Sequence, residues 1–123
     1  MKIIEAINRI DSLKHNTYSQ PDKVAWLSEV DWEVTRHIVD THEGAGEEKF
    51  KGYNENTDLQ TELIIPAPYD KAYILWMEAQ INYHNGEYDK YNNAMDMFYE
   101  AYEGFKKYYN RTHMPKGKGF KFF

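Results

Sequence analysis

The residues of this chain able to do chemistry fall in a few short stretches, and none of them holds a working spacing. Glu33, His37, His42 and Glu43 place imidazoles and carboxylates within a turn or two of one another. That donor set can bind a divalent metal such as zinc. The tight His–Glu–x–x–His pattern is missing, however, so the spacing predicts an i,i+4 Glu33–His37 pair on a solvated helix face. Glu47, Glu48, Glu55 and Asp58 are oxygen donors of the kind calcium takes, without the regular ligand spacing of a calcium loop. Ser12, Ser19 and Ser28 have no nearby histidine and acid to make a nucleophile. The run GKGF near the C-terminal end lacks the rest of a phosphate-binding loop and follows no strand. The chain has no cysteine, which excludes a disulfide framework, a thiolate zinc site and a cysteine nucleophile. The residues therefore predict no catalysis, no cofactor and no metal.

What remains is an architecture. Tyr88, Tyr91, Met95, Phe98, Tyr102, Phe105 and Tyr109 recur at alternating steps of three and four, a heptad pattern that puts them on one face of a helix. Such a stripe can stack bases, but at this spacing it reads as core. A first helix is expected over 2–14, with Ile3, Ile7, Ile10 and Lys14 at helical steps and Ile4 and Leu13 broadening the face. Ser19 opens the capping run Ser–Gln–Pro–Asp, so a second helix follows over 20–42, lined by Val24, Leu27, Val30, Val34 and Ile38 with Trp26 beside them. A third is expected over 69–85, with Ala72, Leu75, Trp76, Ala79 and Tyr83 facing inward and Gly86 as the stop. The fourth, over 87–112, must fold back antiparallel on the third because the linker is so short. Small Ala72, Ala79, Ala94 and Ala101 let the two axes approach. The fold class is all-α: a four-helix antiparallel bundle over 1–114, with a long loop or arm at 43–67 and a basic, aromatic tail at 115–123.

The loop is the oddity. Glycines and charges over 44–62 give it little to bury and predict a loosely held segment. The apolar run Glu–Leu–Ile–Ile–Pro that follows has β-branched character and is expected as a short strand or extended arm that needs a partner. Phe50 and Tyr53 are aromatics on a polar loop, a common form of partner anchor.

With 123 residues the chain makes one domain, and a chain of this size buries about 65–70% of its unfolded surface, enough for a core without staples. No apolar run approaches membrane-spanning length, and the amphipathic first helix, with Glu5 and Asp11, is unlike a signal peptide. The net charge of −5 is unevenly placed. Arg111, Lys116, Lys118 and Lys121 give 110–123 four positive charges and no acid, leaving 11 basic against 20 acidic residues, or −9, for the rest. An acidic body argues against nucleic-acid binding by its surface and is compatible with the tail of one copy lying on the body of the next.

Nearly the whole chain bears a family resemblance. The N-terminal helix, then NTYSQPDKVAWLSEVDWEV, then TELIIPAPYDKAYILWMEAQINYHNGEYDKYNNAMDMFYEAYEGFKKYYNRTHMP, resemble small prophage proteins of Gram-positive bacteria that are similar to head-to-tail connector, or adaptor, proteins of tailed phages. The most telling pieces are WLSEVD at 26–31, PYD at 68–70, NGEYDKYNN at 85–93 and the final NRTHMP. The family often has glycine after the first of these, where this chain has Trp32. The resemblance implies a helical protein with no catalytic residues that assembles as a ring under the portal, extends the DNA channel and presents a platform to the next neck protein. Its partners would be the portal protein, the next neck or tail protein and copies of itself. DNA would only pass through, since an acidic channel repels phosphate, and no membrane is involved. The place implied is the virion neck, and the host cytoplasm during assembly. Partner-binding residues expected on these grounds are Phe50, Tyr53, Ile64 and Ile65 in the loop and arm, with Arg111, Lys116, Lys118, Phe120, Lys121, Phe122 and Phe123 at the end of the chain. Two alternatives stand beside this: a small helical regulatory or protein-interaction module with no phage neck role, and a metal protein or enzyme using His37, His42 and Glu43.

Overall fold

A computed structural model describes residues 1–41 and 50–113. Among these residues four α-helices follow in chain order: α1 (Ile3–Leu13), α2 (Gln20–Thr41), α3 (Lys71–His84) and α4 (Tyr88–Thr112). They run up-down-up-down. Asp11 meets Lys23 across α1 and α2, Glu29 meets Trp76 across α2 and α3, and the rings of Trp76–Phe98 and Tyr83–Tyr91 meet across α3 and α4. The expected all-helical bundle is what forms, and its helix ends lie within two residues of those read from the pattern.

The ends have local causes. The Ser19 hydroxyl accepts from the Asp22 amide at 3.2 Å, the cap that starts α2. Gly86, at φ +79°, reverses the chain between α3 and α4 in a region that side chains avoid. The start of α1 is satisfied from far along the chain. The Ile3 and Ile4 amides donate to the carbonyls of Thr61 and Leu59, both at 3.0 Å, and the Leu63 amide donates to the Met1 carbonyl at 2.9 Å. The first two bonds occupy helix-terminal donors that would otherwise need water.

α3 is the central helix, in contact with each of the other three. Ala72, Tyr73, Ile74, Met77, Ala79, Ile81 and Asn82 are all buried, so it has no single inner face. The expected inner residue Tyr83 is instead 49% exposed, while Tyr73 and Met77 are fully buried. On α4 the aromatic stripe is core over Met95, Phe98, Tyr102 and Phe105, and Tyr88 at its start is exposed. Phe98 lies against Trp76 with ring centroids 5.0 Å apart. Leu13, expected to widen the apolar face of α1, points outward.

Residues 50–70, the described part of the expected loop and arm, form a strap hydrogen-bonded to the bundle, while residues 44–49 of that expectation lie outside the described residues. The Thr57 and Thr61 amides close turns on the carbonyls of Asn54 and Asp58, each at 3.0 Å. Lys2 and Glu62 form a single antiparallel bridge, so the expected strand is reduced to one pairing. Leu63 and Ile65 enter the core and Ile64 faces out.

Candidate interaction surface

One buried carboxylate ties the strap to two helices. Asp31 lies on the inner face of α2, one turn beyond Leu27 and one turn before Val34, and is fully buried. The Tyr73 hydroxyl of α3 donates to its Oδ1 at 2.5 Å, and the Tyr53 hydroxyl of the strap donates to its Oδ2 at 2.6 Å. The Ile64 amide donates to Oδ2 at 3.2 Å. The Tyr73 oxygen in turn accepts from the Ile65 amide at 2.7 Å. One residue thus ties α2, α3 and two points of the strap together. Each of these partners is a hydrogen-bond donor, as a buried carboxylate requires. Burial still pushes the Asp31 carboxyl above its usual range, with the bonds from Tyr53, Tyr73 and Ile64 pulling back. Burial, with the adjacent Asp31 charge, drives both tyrosine hydroxyls far up.

A second clasp lies beside the first. The Tyr53 amide donates to the Ser28 hydroxyl at 2.9 Å. Gly52, at φ +84°, makes the approach possible, because a Cβ there would come within 3.0 Å of the Trp32 ring nitrogen. With the strap so placed, Phe50 packs edge-on against Trp32 and Tyr53 at 5.0 and 4.9 Å. Trp32 is 43% and Ile64 37% exposed. Trp32 and Ile64, with the half-buried Phe50 packed on Trp32, therefore present apolar surface beside a strap that is hydrogen-bonded to α2.

A different surface opens where α2, α3 and α4 meet. A groove of about 320 Å³ is lined by Glu29, Glu33, Val30, Trp76, Phe98, Tyr99 and Tyr102. The Trp76 indole N–H donates to Glu29 at 3.1 Å, and Glu33 pairs with Arg36 one turn along on the exposed rim. Lys106 sits 5.0 Å from the centre of the Tyr102 ring. The Tyr102 hydroxyl is pushed up to about 12 by burial and then by the charges of Glu33 and Glu103. The groove is thus aromatic-walled, with the two carboxylates Glu29 and Glu33 in its lining.

The expected site residues divide as follows. Phe50, Tyr53 and Ile64 come together on the strap, and the Tyr53 hydroxyl and Ile64 amide reach Asp31. Ile65 is fully buried and belongs to the core, so it has no free surface to offer a partner. Arg111 is exposed in the last turn of α4. Lys116, Lys118, Phe120, Lys121, Phe122 and Phe123 lie outside the described residues, as do His42, Glu43, Glu47 and Glu48. No group of three or more His, Asp or Glu side chains able to hold a metal ion occurs among the described residues. No helix there is long and apolar enough to cross a membrane. Asp31 is not among the expected site residues, yet its signal is present in the sequence: a lone acid on the apolar stripe Val24, Leu27, Val30, Val34. Comparison of the chain with protein-family models, curated proteins and solved structures finds no match.

Proposed function

We propose that this chain is a structural connector of a tailed-phage neck, a non-catalytic protein that assembles as a ring on the portal and extends the DNA channel. The resemblance of the motifs at 26–31, 68–70, 85–93 and 110–115 supplies the class. The observation that carries an assembly role is the apolar patch of Phe50, Trp32 and Ile64, fixed on a strap whose Tyr53 amide and hydroxyl and Ile64 amide are bound by Ser28 and Asp31. A patch already rigid loses little conformational freedom on docking, which favours binding. The partners under this reading are the portal, the next neck protein and further copies of the chain.

The test is the mass of the purified protein by light scattering, alone and mixed with a portal ring, at low and high salt. A complex of many copies per portal is the expected result. Trp32→Ala with Ile64→Ser should weaken it at least about tenfold, the equivalent of about 1.4 kcal/mol, while leaving the helical circular dichroism unchanged. No association with a portal or another neck protein at any salt concentration sinks the connector reading and leaves the small partner-binding module.

A further inference from the structure

The groove between α2, α3 and α4 has what a cationic, aromatic peptide needs. Carboxylates Glu29 and Glu33 stand one turn apart on one rim, and Trp76, Phe98, Tyr99 and Tyr102 form the walls. Tyr99 is 54% exposed, although it neighbours the buried Phe98. Lys106 already lies over Tyr102, so an ammonium group is accommodated on this wall. The chain carries a matching segment in Phe120, Lys121 and Phe122, a cation between two rings, preceded by Lys116 and Lys118.

We infer that the groove is the docking site for the basic aromatic tail of the same chain, with Lys121 between the carboxylates and the aromatic wall and Phe120 and Phe122 against the rings. Reach permits it. From Thr112 back to Phe98–Tyr102 is about 15–21 Å along a helix rising about 1.5 Å per residue. The eight steps from His113 to Lys121 span up to about 26–29 Å. The direction must reverse, and the sequence supplies the means. His113 leaves α4 in extended conformation (φ −133°, ψ 148°), Pro115 cannot continue the helix, and Gly117 and Gly119 accept the backbone angles of a sharp turn. A tethered segment meets its site at an effective concentration of the order of millimolar, which favours the chain's own groove over a second copy's in dilute solution. The contact needs neither portal nor ring, so it stands or falls apart from the connector reading. Within a ring, the same segment can be exchanged between neighbours without new contacts.

The absence of cysteine makes a clean test. Gly119→Cys is paired with Tyr99→Cys in the groove, or with Met97→Cys on the opposite flank of α4 and equally exposed (54% and 55%). Oxidised glutathione then drives disulfide formation in the full-length protein, followed on a non-reducing gel. The expected result is an intramolecular bond forming at least about tenfold faster from Tyr99→Cys than from Met97→Cys, the ratio of effective concentrations that a docked tail sets. Glu29→Gln with Glu33→Gln, or high salt, should shrink that ratio. As a check free of thiols, a peptide of residues 114–123 should bind a chain truncated after 113 and not the full chain. Equal rates from the two positions overturn the inference. A covalent dimer as the dominant product at micromolar protein also overturns it and makes the second copy the occupant.

Discussion

Asp31 joins α2, α3 and the strap through a single side chain. Three donors converge on its carboxylate, from α3, from the strap side chain Tyr53 and from the Ile64 amide. Asp31→Ala strands all three and should cost about 3–5 kcal/mol, because a buried donor without a partner loses its full hydration. Asp31→Asn keeps the volume but turns one acceptor into a donor, leaving one tyrosine hydroxyl unpaired, for about 1–3 kcal/mol. Urea unfolding of the two variants beside the parent checks the order. The pH dependence has a definite sign. Burial raises the Asp31 carboxyl above 3.8 in the folded chain, so the folded state takes up this proton before the unfolded one does. Its contribution to stability is full below 3.8 and is lost as pH rises through the raised value. The stability margin of the parent over Asp31→Asn should therefore widen as the solution is acidified through that window. A margin that narrows instead would mean that the three hydrogen bonds outweigh burial.

The elements differ in how plainly the sequence announces them. α4 is the clearest. Its heptad stripe marks Met95, Phe98, Tyr102 and Phe105, and all four are buried. Phe98→Ala should cost about 3–5 kcal/mol in chemical unfolding, and a loss below about 1 kcal/mol would make the stripe an interface instead of core. α3 is harder to read because a central helix is apolar on several sides, and no period then separates Tyr73 and Met77 from Tyr83. The strap is hardest. Composition over 50–62 is polar and glycine-bearing, and nothing local shows that Gly52 passes under Trp32 or that Leu59 and Thr61 cap α1. The capping bonds join residues at opposite ends of the first half of the chain, which no short window contains. Hydrogen exchange should accordingly find the amides of Ile3, Ile4, Tyr53 and Ile64 protected. Gly52→Ala should remove the protection at Tyr53 and Ile64 while α3 and α4 keep theirs, since the strain at φ +84° falls on the strap and the clash falls on Trp32 and Ser28 of α2.

At the scale of the whole molecule the charge split governs behaviour. The body carries a net −9 and the stretch from Asn110 onward a net +4, which gives each copy two complementary surfaces. Charges so arranged steer association and set orientation more than they set its strength, and salt screens them. Removing residues 115–123 should leave the four helices intact, because α4 ends at Thr112 and the described core closes without the tail. Thermal unfolding should shift by no more than surface changes usually produce, about 0.5 kcal/mol, or slightly more if the groove contact adds to stability. Association is a different matter. The deletion takes away Lys116, Lys118 and Lys121 together with Phe120, Phe122 and Phe123, whose rings are costly to leave in water unless something covers them. Assembly with a portal should therefore weaken, and the part that remains should depend less on salt, since the charges that salt screens are gone. If the truncated protein assembles as well as the parent, with the same salt dependence, the tail has no part in assembly, and the apolar patch of Phe50, Trp32 and Ile64 must carry the contact alone.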